Sequence, residues 1–252
     1  MNESLTNLVH VKQWLGLTNS TDDALLTRMI GMASGYIRNW INRDITLAQY
    51  SDVMDGNNGQ RLILGNFPIT GVSALTINDQ VIPEKLTHDA KGYIYHDFYI
   101  DLDGYYFSAG KNNVKIDYTA GFQTTDTLTV PSIAPYTVQV PLFWASDVSV
   151  VSGSFTLDKI TGAPDSQEYS VTAGLYTFNA AQAGFELGIT YGFIPGDIEQ
   201  ATIDLIGRKY RERDRIGLAS KGLAGETTAF SQNDMSADTK AILQQYRKVF
   251  SV

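Results

Sequence analysis

"VKIDYTAGF" (residues 114–122) and "LGITYGF" (residues 187–193) end alike, with an alternating strand, a tyrosine and a Gly-Phe exit. Reading the two as equivalent decides the architecture. If residues 123–193 are lifted out, Phe122 runs straight into "IPGDIEQ" (194–200) without loss of sense, which makes 123–193 an all-β module inserted at the rim of a smaller protein. Coincidence is the competing explanation, because aromatic residues are enriched in strands generally. Composition sets the segment apart as well. It holds one cation, Lys159, against six acids, Asp126, Asp147, Asp158, Asp165, Glu168 and Glu186. That is −5 of the chain's net −8. With charges so sparse, its solvent faces must be Ser, Thr, Gln and Asn. "VSVVSGSFTL" (148–157), "QEYSVTAGLYTFN" (167–179) and "GFELGITYGF" (184–193) read as strands joined by turns.

Upstream, residues 45–122 read as a small antiparallel β-domain. "DVMDGNNGQRLIL" (52–64) predicts a hairpin turning at Asp55–Gly59. "ITGVSALTIND" (69–79) alternates imperfectly through Val72, Leu75 and Ile77, and "GYIYHDFYIDL" (92–102) is rich in aromatics. Val114, Ile116 and Tyr118 share one face of the strand that reaches the first Gly-Phe exit.

The two ends of the chain change period to that of a helix. In 1–44, "NLVHVKQWLGL" (7–17) spaces Leu8, Val11, Trp14 and Leu15 helically and stops at Gly16. "STDDALLTRMIGMASGYIRNWINR" (20–43) offers Ser20 or Thr21 as N-cap and a stripe of Leu26, Met29, Ile30, Ala33, Ile37, Trp40 and Ile41. In 194–252, a helix starting near Pro195 buries Ile198, Ala201, Thr202, Leu205 and Ile206. A last helix, capped by Ser236, carries Ala241, Ile242, Tyr246 and Val249. Each stripe needs a partner, so the expected class is α+β: a helical bundle formed by the N- and C-terminal helices, with a small antiparallel β-domain and an inserted all-β module.

The totals narrow the function. The chain has 252 residues, 43% hydrophobic, and no cysteine, which removes disulfides, thiolate zinc and cysteine nucleophiles. A net charge of −8 argues against a sticky nucleic-acid binder, since phosphate affinity rests on cations. The N-terminus has neither the basic start nor the apolar run of a signal peptide, and no stretch approaches a membrane span. His10, His88 and His96 share no metal-like spacing. No nucleophile elbow, phosphate loop or zinc-protease motif occurs. "DGNNG" (55–59) and "DLDG" (101–104) are turns without the acidic ladder of a calcium loop. The expectation is no enzyme, no cofactor and no metal.

One charged stretch remains, "RKYRERDRIGLASKGLAGETTAF" (208–230), with six of the nineteen Lys and Arg residues: Arg208, Lys209, Arg211, Arg213, Arg215 and Lys221. Glu212 and Asp214 are interleaved. Cations at a helix C-terminus complement its dipole, and Arg208–Glu212 is an i,i+4 pair, so a solvated helix end explains the pattern. A contact with the opposite pattern on a neighbouring copy, closing into a ring, is the functional alternative.

In order along the chain, "LVHVKQWLGL", "TDDALLTRMIGMASGYIRNWINRDI", "LILGNFPITGVSALTIND", "VKIDYTAGF", "IPGDIEQATIDLIGRKYRERDRIGLASKGLAGETTAFS" and "MSADTKAILQQYRKV" resemble the head–tail connector proteins of tailed bacteriophages, also called adaptor or head-completion proteins. The resemblance implies a virion structural protein of the neck or tail region, assembled in the host cytoplasm. It implies a ring, commonly of twelve copies, docked under the portal, extending the DNA channel and giving a platform to the next tail or neck protein. DNA is then passing cargo, and no membrane is involved. A subunit or portal interface is implied at Arg208, Lys209, Arg211, Glu212, Arg213, Asp214 and Arg215. It continues at Lys221, Glu226, Phe230, Tyr246 and Arg247, with "SKGLAGETTAF" (220–230) as an adaptable loop. The 123–193 module departs from shorter members, which run from "YTAGF" directly into the helix. A second hypothesis makes the protein a host-surface or carbohydrate-binding β-module on a helical anchor. The two differ at Phe143 and Trp144, exposed on a concave face in the second and packed in the first.

Overall fold

Gly16 stops the first helix where its sequence predicts. Helix α1 (Leu8–Leu15) is capped at its start by the Asn7 side chain, which accepts the His10 N–H at 2.8 Å. At its end Gly16 is left-handed (φ 70°), and Leu17 N–H returns to the Lys12 carbonyl. The computed structural model describes residues 4–213, 220–223, 226–229 and 235–248, the two middle stretches as backbone. Helix α2 (Asp23–Ile41) buries Leu26, Ile30, Ala33, Ile37 and Ile41, the core of the expected stripe. Its N-cap is Asp22 rather than Ser20 or Thr21, and the Asp22 side chain makes no capping bond. The Asp22 carboxylate instead accepts the Tyr210 hydroxyl and pairs with Arg213 at 3.5 Å.

Helix α3 (Gly196–Arg211) packs against α1, α2 and the last helix, α4 (Ala237–Tyr246). The described residues up to Asn42 and from Pro195 to Arg247 form one compact unit. Buried Thr202 satisfies its hydroxyl on the Ile198 carbonyl at 2.8 Å. Ser236 caps α4 as expected, accepting the Thr239 N–H at 3.1 Å. The face α4 buries is Thr239 and Leu243; Ala241 is exposed, and Val249 lies outside the described residues. Trp14, counted on the apolar face of α1, is 54% exposed, because Val11 alone fills the seam there.

Residues 43–194 make up nearly all of the second unit, strands and loops apart from one 3₁₀ turn at Ala180–Gln182. Its strands begin with β1 (Ala48–Gly56), β2 (Arg61–Ile63), β3 (Ile69–Ile77), β4 (Gln80–Val81), β5 (Gly92–Tyr95), β6 (Tyr99–Asp103) and β7 (Gly110–Ala120). They build a four-stranded sheet, order β1-β7-β3-β4, and a three-stranded one, β2-β6-β5, around one core that includes Leu62, Ile69, Leu75, Ile100, Ile116 and Tyr118. The predicted 52–64 hairpin does not form: β1 pairs with β7 and β2 with β6. Residues 57–60 instead carry the chain from one sheet to the other. The imperfect alternation of 69–79 also has a cause, since β3 shifts register twice against β7, between Ile69 and Gly71 and between Val72 and Ala74.

The second half comprises β8 (Gln123–Thr129), β9 (Thr137–Gln139), β10 (Phe143–Ser152), β11 (Phe155–Lys159), β12 (Glu168–Thr172), β13 (Leu175–Phe178) and β14 (Glu186–Ile194). In the order β8-β14-β10-β11-β12-β13-β9 they make a nearly closed, barrel-like sheet with its own core of Val150, Tyr169, Tyr176, Leu187, Ile189 and Tyr191 among others. A separate hairpin, β15 (Ser220–Leu223) with β16 (Glu226–Ala229), stands where an adaptable loop was expected.

These elements correct the expected class. Strand outweighs helix, about 40% to 25%, and four α-helices occur among the described residues, so the protein is mostly β and not a helical bundle with β appendages. Amphipathic stripes of eight to nineteen residues are conspicuous in sequence, whereas strands of three to five residues with register shifts are not. The helices therefore weighed more in the reading than they do in the fold.

The two Gly-Phe exits lie side by side. Phe193 N–H donates to the Phe122 carbonyl at 3.0 Å, and the two rings meet edge to face at 6.0 Å. Both glycines press on Leu47: a Cβ on Gly121 would lie 2.4 Å from Leu47 Cα, and one on Gly192 would lie 2.9 Å from Leu47 Cβ. Any larger residue at either position collides with the chain. The tyrosines match too. Tyr118 donates to Asp52 on β1 at 2.7 Å, and Tyr191 to Asp126 on β8 at 2.6 Å. In each case the aspartate lies two residues beyond the tyrosine's direct cross-strand partner, Tyr50 or Thr124.

Candidate functional site

The end of α3 gathers the described part of the predicted interface, and most of it is already engaged within the helical unit. Arg208 pairs with Glu212 at 3.2 Å, the i,i+4 contact its spacing predicts. Lys209 lies 5.4 Å from the centre of the Tyr36 ring, Arg213 lies 4.2 Å from that of Tyr210, and Arg247 lies 5.6 Å from Trp40. Tyr246 donates to Asp197 at 2.7 Å. Arg211 differs: it is exposed and has no ion-pair partner among the described residues. Asp214, Arg215 and Phe230 lie outside the described residues, and Lys221 and Glu226 are described only as backbone of the β15–β16 hairpin.

Sequence reasoning missed the neighbour of Arg211. Trp14 stands on α1 against Gly207 of α3, where a Cβ would come 3.5 Å from indole Cδ1. On one side of the indole is an open cleft of about 650 Å³ lined by Asp204, Arg208, Arg211 and Glu212. On the other is a shallower one of about 380 Å³ lined by His10, Gln13, Glu199 and Gln200. His10 Nδ1 sits 2.6 Å from Glu199 Oε1, and the Thr6 hydroxyl donates to the same oxygen at 3.1 Å. Beyond α1, Leu25 and Met32 leave further apolar surface open on α2. No signal short of the fold could have told Trp14 from a core residue, since its spacing within α1 is that of the buried face.

The other motifs resolve into structural contacts. In "DLDG", Asp101 receives two bonds from Arg61, at 2.7 and 2.8 Å, and that hydrogen-bonded guanidinium holds its carboxyl below the usual range. Asp103 is lowered in the same way by Lys85, and Asp55 of "DGNNG" by Lys111. Asn57 closes that turn by accepting the Gly59 N–H at 2.9 Å. His88 is fully exposed beside Asp89, and His96 stacks on Tyr99. Among the described residues, no group of three or more His, Asp or Glu is placed to hold a metal ion. No helix there is long and apolar enough to cross a membrane.

In the 123–193 half, Trp144 is packed against the core and donates its indole N–H to the Tyr176 hydroxyl at 3.3 Å. It offers no free platform. Beneath it lies a carboxylate that the sequence did not single out. Asp147, 3% exposed, accepts the hydroxyls of Tyr169 and Tyr176, both at 2.8 Å, and pairs with Lys159 at 3.2 Å. Burial first, then the bond to Asp147, pushes both phenols well above their ordinary pKa.

What this geometry offers is surface for assembly: a part-engaged charged helix end, an exposed tryptophan and a β unit closed around its own cores. The family model for head completion proteins matches residues 4–133, which is 130 of the 252 residues, and the chain belongs to that family. It is a structural phage protein of the virion, with a role in head completion. The match runs past Phe122 through β8. No curated protein matches the chain.

Proposed function

We propose that the chain is one subunit of a ring-shaped head–tail connector that docks beneath the portal, extends the DNA channel and offers a platform to the next tail component. The observation that carries this reading is the α1–α3 surface, where Trp14 and Arg211 stand open on a unit whose own buried face is already filled. Tryptophan and arginine are both enriched at the centres of protein interfaces, and Arg211 has no ion-pair partner among the described residues. A net charge of −8 suits a channel through which DNA slides without adhering. Of the twelve residues implied at the interface, Arg211 carries the role best, because Lys209, Arg213, Tyr246 and Arg247 already bridge the helices and Arg208 pairs with Glu212 at the end of its own. The ring sits in the neck of the virion, assembled in the host cytoplasm in about twelve copies, as the family resemblance implies.

Residues 123–193 are, on this reading, an insert carried on the outside of the ring. Its two ends are one backbone hydrogen bond apart. Replacing 123–193 by a short linker leaves a protein that still unfolds cooperatively; loss of the cooperative transition makes the segment integral. For the function itself, purified protein is mixed with portal-bearing heads lacking necks and imaged by electron microscopy. Rings on the portal vertex are expected. A chain that remains monomeric with and without heads overturns the proposal.

A further inference from the structure

At the opposite end of the β8–β14 ladder from the Phe122–Phe193 bond, Val130 N–H bonds the Phe185 carbonyl and Gly184 N–H bonds the Val130 carbonyl. Beside it β10 ends at Ser152, flanked by Leu187 of β14 and Phe155 of β11. Neighbouring strands stand about 4.8 Å apart, so β11 and β14 are only about 10 Å from each other and present one small end face. Phe155 is 72% exposed there, Phe185 56%, and Ile133, in the loop that leaves Val130, 81%. Single exposed apolar residues are ordinary, whereas three gathered at one end mark a contact surface. The loops around them are fixed in advance. The Gln182 amide donates to the Ser166 carbonyl at 2.8 Å, Asn179 donates to Pro164 at 3.0 Å, and the Ser152 hydroxyl bonds Gln182 at 3.2 Å. A surface shaped beforehand loses less freedom when it binds.

The charge around this end selects what covers it. Lys159 is the only cation in 123–193, and it pairs with buried Asp147. Asp158, Asp165, Glu168 and Glu186 pair with no cation among the described residues. Asp158 and Glu168 stand side by side on β11 and β12, where like charges weaken a sheet and an incoming cation would relieve them. Such a face repels nucleic acid and anionic lipid, both of which bind through cations. A second copy of this chain offers no cationic unit to meet it. Residues 1–42 and 195–247 together hold eleven Lys and Arg against eleven Asp and Glu, and residues 43–194 hold seven against sixteen. The complement is therefore a different polypeptide, with a basic face and apolar recesses.

We propose that this end of the 123–193 sheet, bearing Ile133, Phe155 and Phe185, docks on a basic surface of another virion polypeptide. Both phenylalanines lie beyond residues 4–133, the stretch the family model matches, and the contact forms whether or not the chain closes into a ring. The test uses the full-length chain in assembled virions. The photo-crosslinking residue p-benzoylphenylalanine replaces Phe155, or exposed Ser154 beside it should Phe155 prove necessary for incorporation. The particles are irradiated and the crosslinks mapped by mass spectrometry. Crosslinks to a different polypeptide, at a stretch where Lys and Arg outnumber Asp and Glu, are expected. Crosslinks to a second copy of this chain, within the same chain, to nucleic acid, to a stretch lacking that excess, or to nothing overturn the assignment. In parallel, the triple variant Asp158→Asn, Glu168→Gln, Glu186→Gln is expected to lower the crosslink yield roughly fivefold, with a thermal midpoint equal to or above wild type. An undiminished yield removes these acids from the contact, and with them the choice of a basic partner.

Discussion

Tyr118 and Tyr191 each donate a hydroxyl to an aspartate placed by the same diagonal register, yet the cores around them are filled by different means. The core of 43–122 has three aromatic rings among fourteen buried residues and is otherwise Leu, Ile, Val and Ala. That of 123–193 has four among ten, and Tyr169, Tyr176 and Phe178 stack on one another. A tyrosine buries a large ring but brings a hydroxyl that must be satisfied. The first core therefore rests mainly on apolar burial. The second rests also on a buried polar network converging on Asp147. A chain segment short of charged residues can close a core partly with tyrosines, provided each phenol finds an acceptor.

The sharpest way to break this contrast is Asp147→Ala. It strands two buried hydroxyls, and the expected loss is about 2–5 kcal/mol in urea unfolding. A loss below about 1 kcal/mol shows that the network is incidental. Next come Tyr118→Phe and Tyr191→Phe, each expected to cost about 1–2 kcal/mol. The two latches are equivalent only if these costs agree, and a clear inequality separates them.

Alkali provides a third measure. The phenols of Tyr118, Tyr169, Tyr176 and Tyr191 are all raised, chiefly by burial, with Tyr50 and Tyr93 raised as well. A raised folded-state pKa stabilises below the unfolded value near 10 and is lost as pH climbs through the folded one. Stability to urea should hold to about pH 10 and then fall, with part of the phenolate absorbance appearing only as the chain unfolds. Native-state phenolate absorbance amounting to all fourteen tyrosines contradicts the burial of these hydroxyls. The smallest effect belongs to Arg61→Ala. The depressed carboxyl of Asp101 stabilises above its ordinary pKa near 4 and ceases to as pH falls below it. The variant's thermal midpoint should lie slightly below wild type at pH 7 and converge with it at about pH 2–3; a gap that persists in acid assigns Arg61 a packing role over Tyr99 instead.

Much of this was legible before any coordinates. The cap at Ser236, the stop at Gly16, the buried stripe of α2, the Arg208–Glu212 pair and the resemblance to head-completion proteins all came from local chemistry, where neighbours in sequence are neighbours in space. The parts that failed needed partners far along the chain. Residues 55–59 carry every mark of a hairpin turn, but β1 finds its ladder on β7, more than fifty residues away. Asp147 looked like any acid on a strand, because nothing nearby in sequence says that Tyr169 and Tyr176 will close over it. Trp14 has the spacing of a core residue and lies on the surface, since one helix cannot announce how little of it its neighbour covers.

The backbone bond between Phe193 and Phe122 has a mechanical meaning. Strands β8 and β14 run antiparallel from that point, so tension between residues 122 and 193 loads their ladder one rung at a time, beginning at Gln123 and Gly192. Peeling yields at lower force than sliding a whole ladder at once. Under such a pull the seven-stranded sheet opens from its base like a zip, its fuse set at a single pair of phenylalanines.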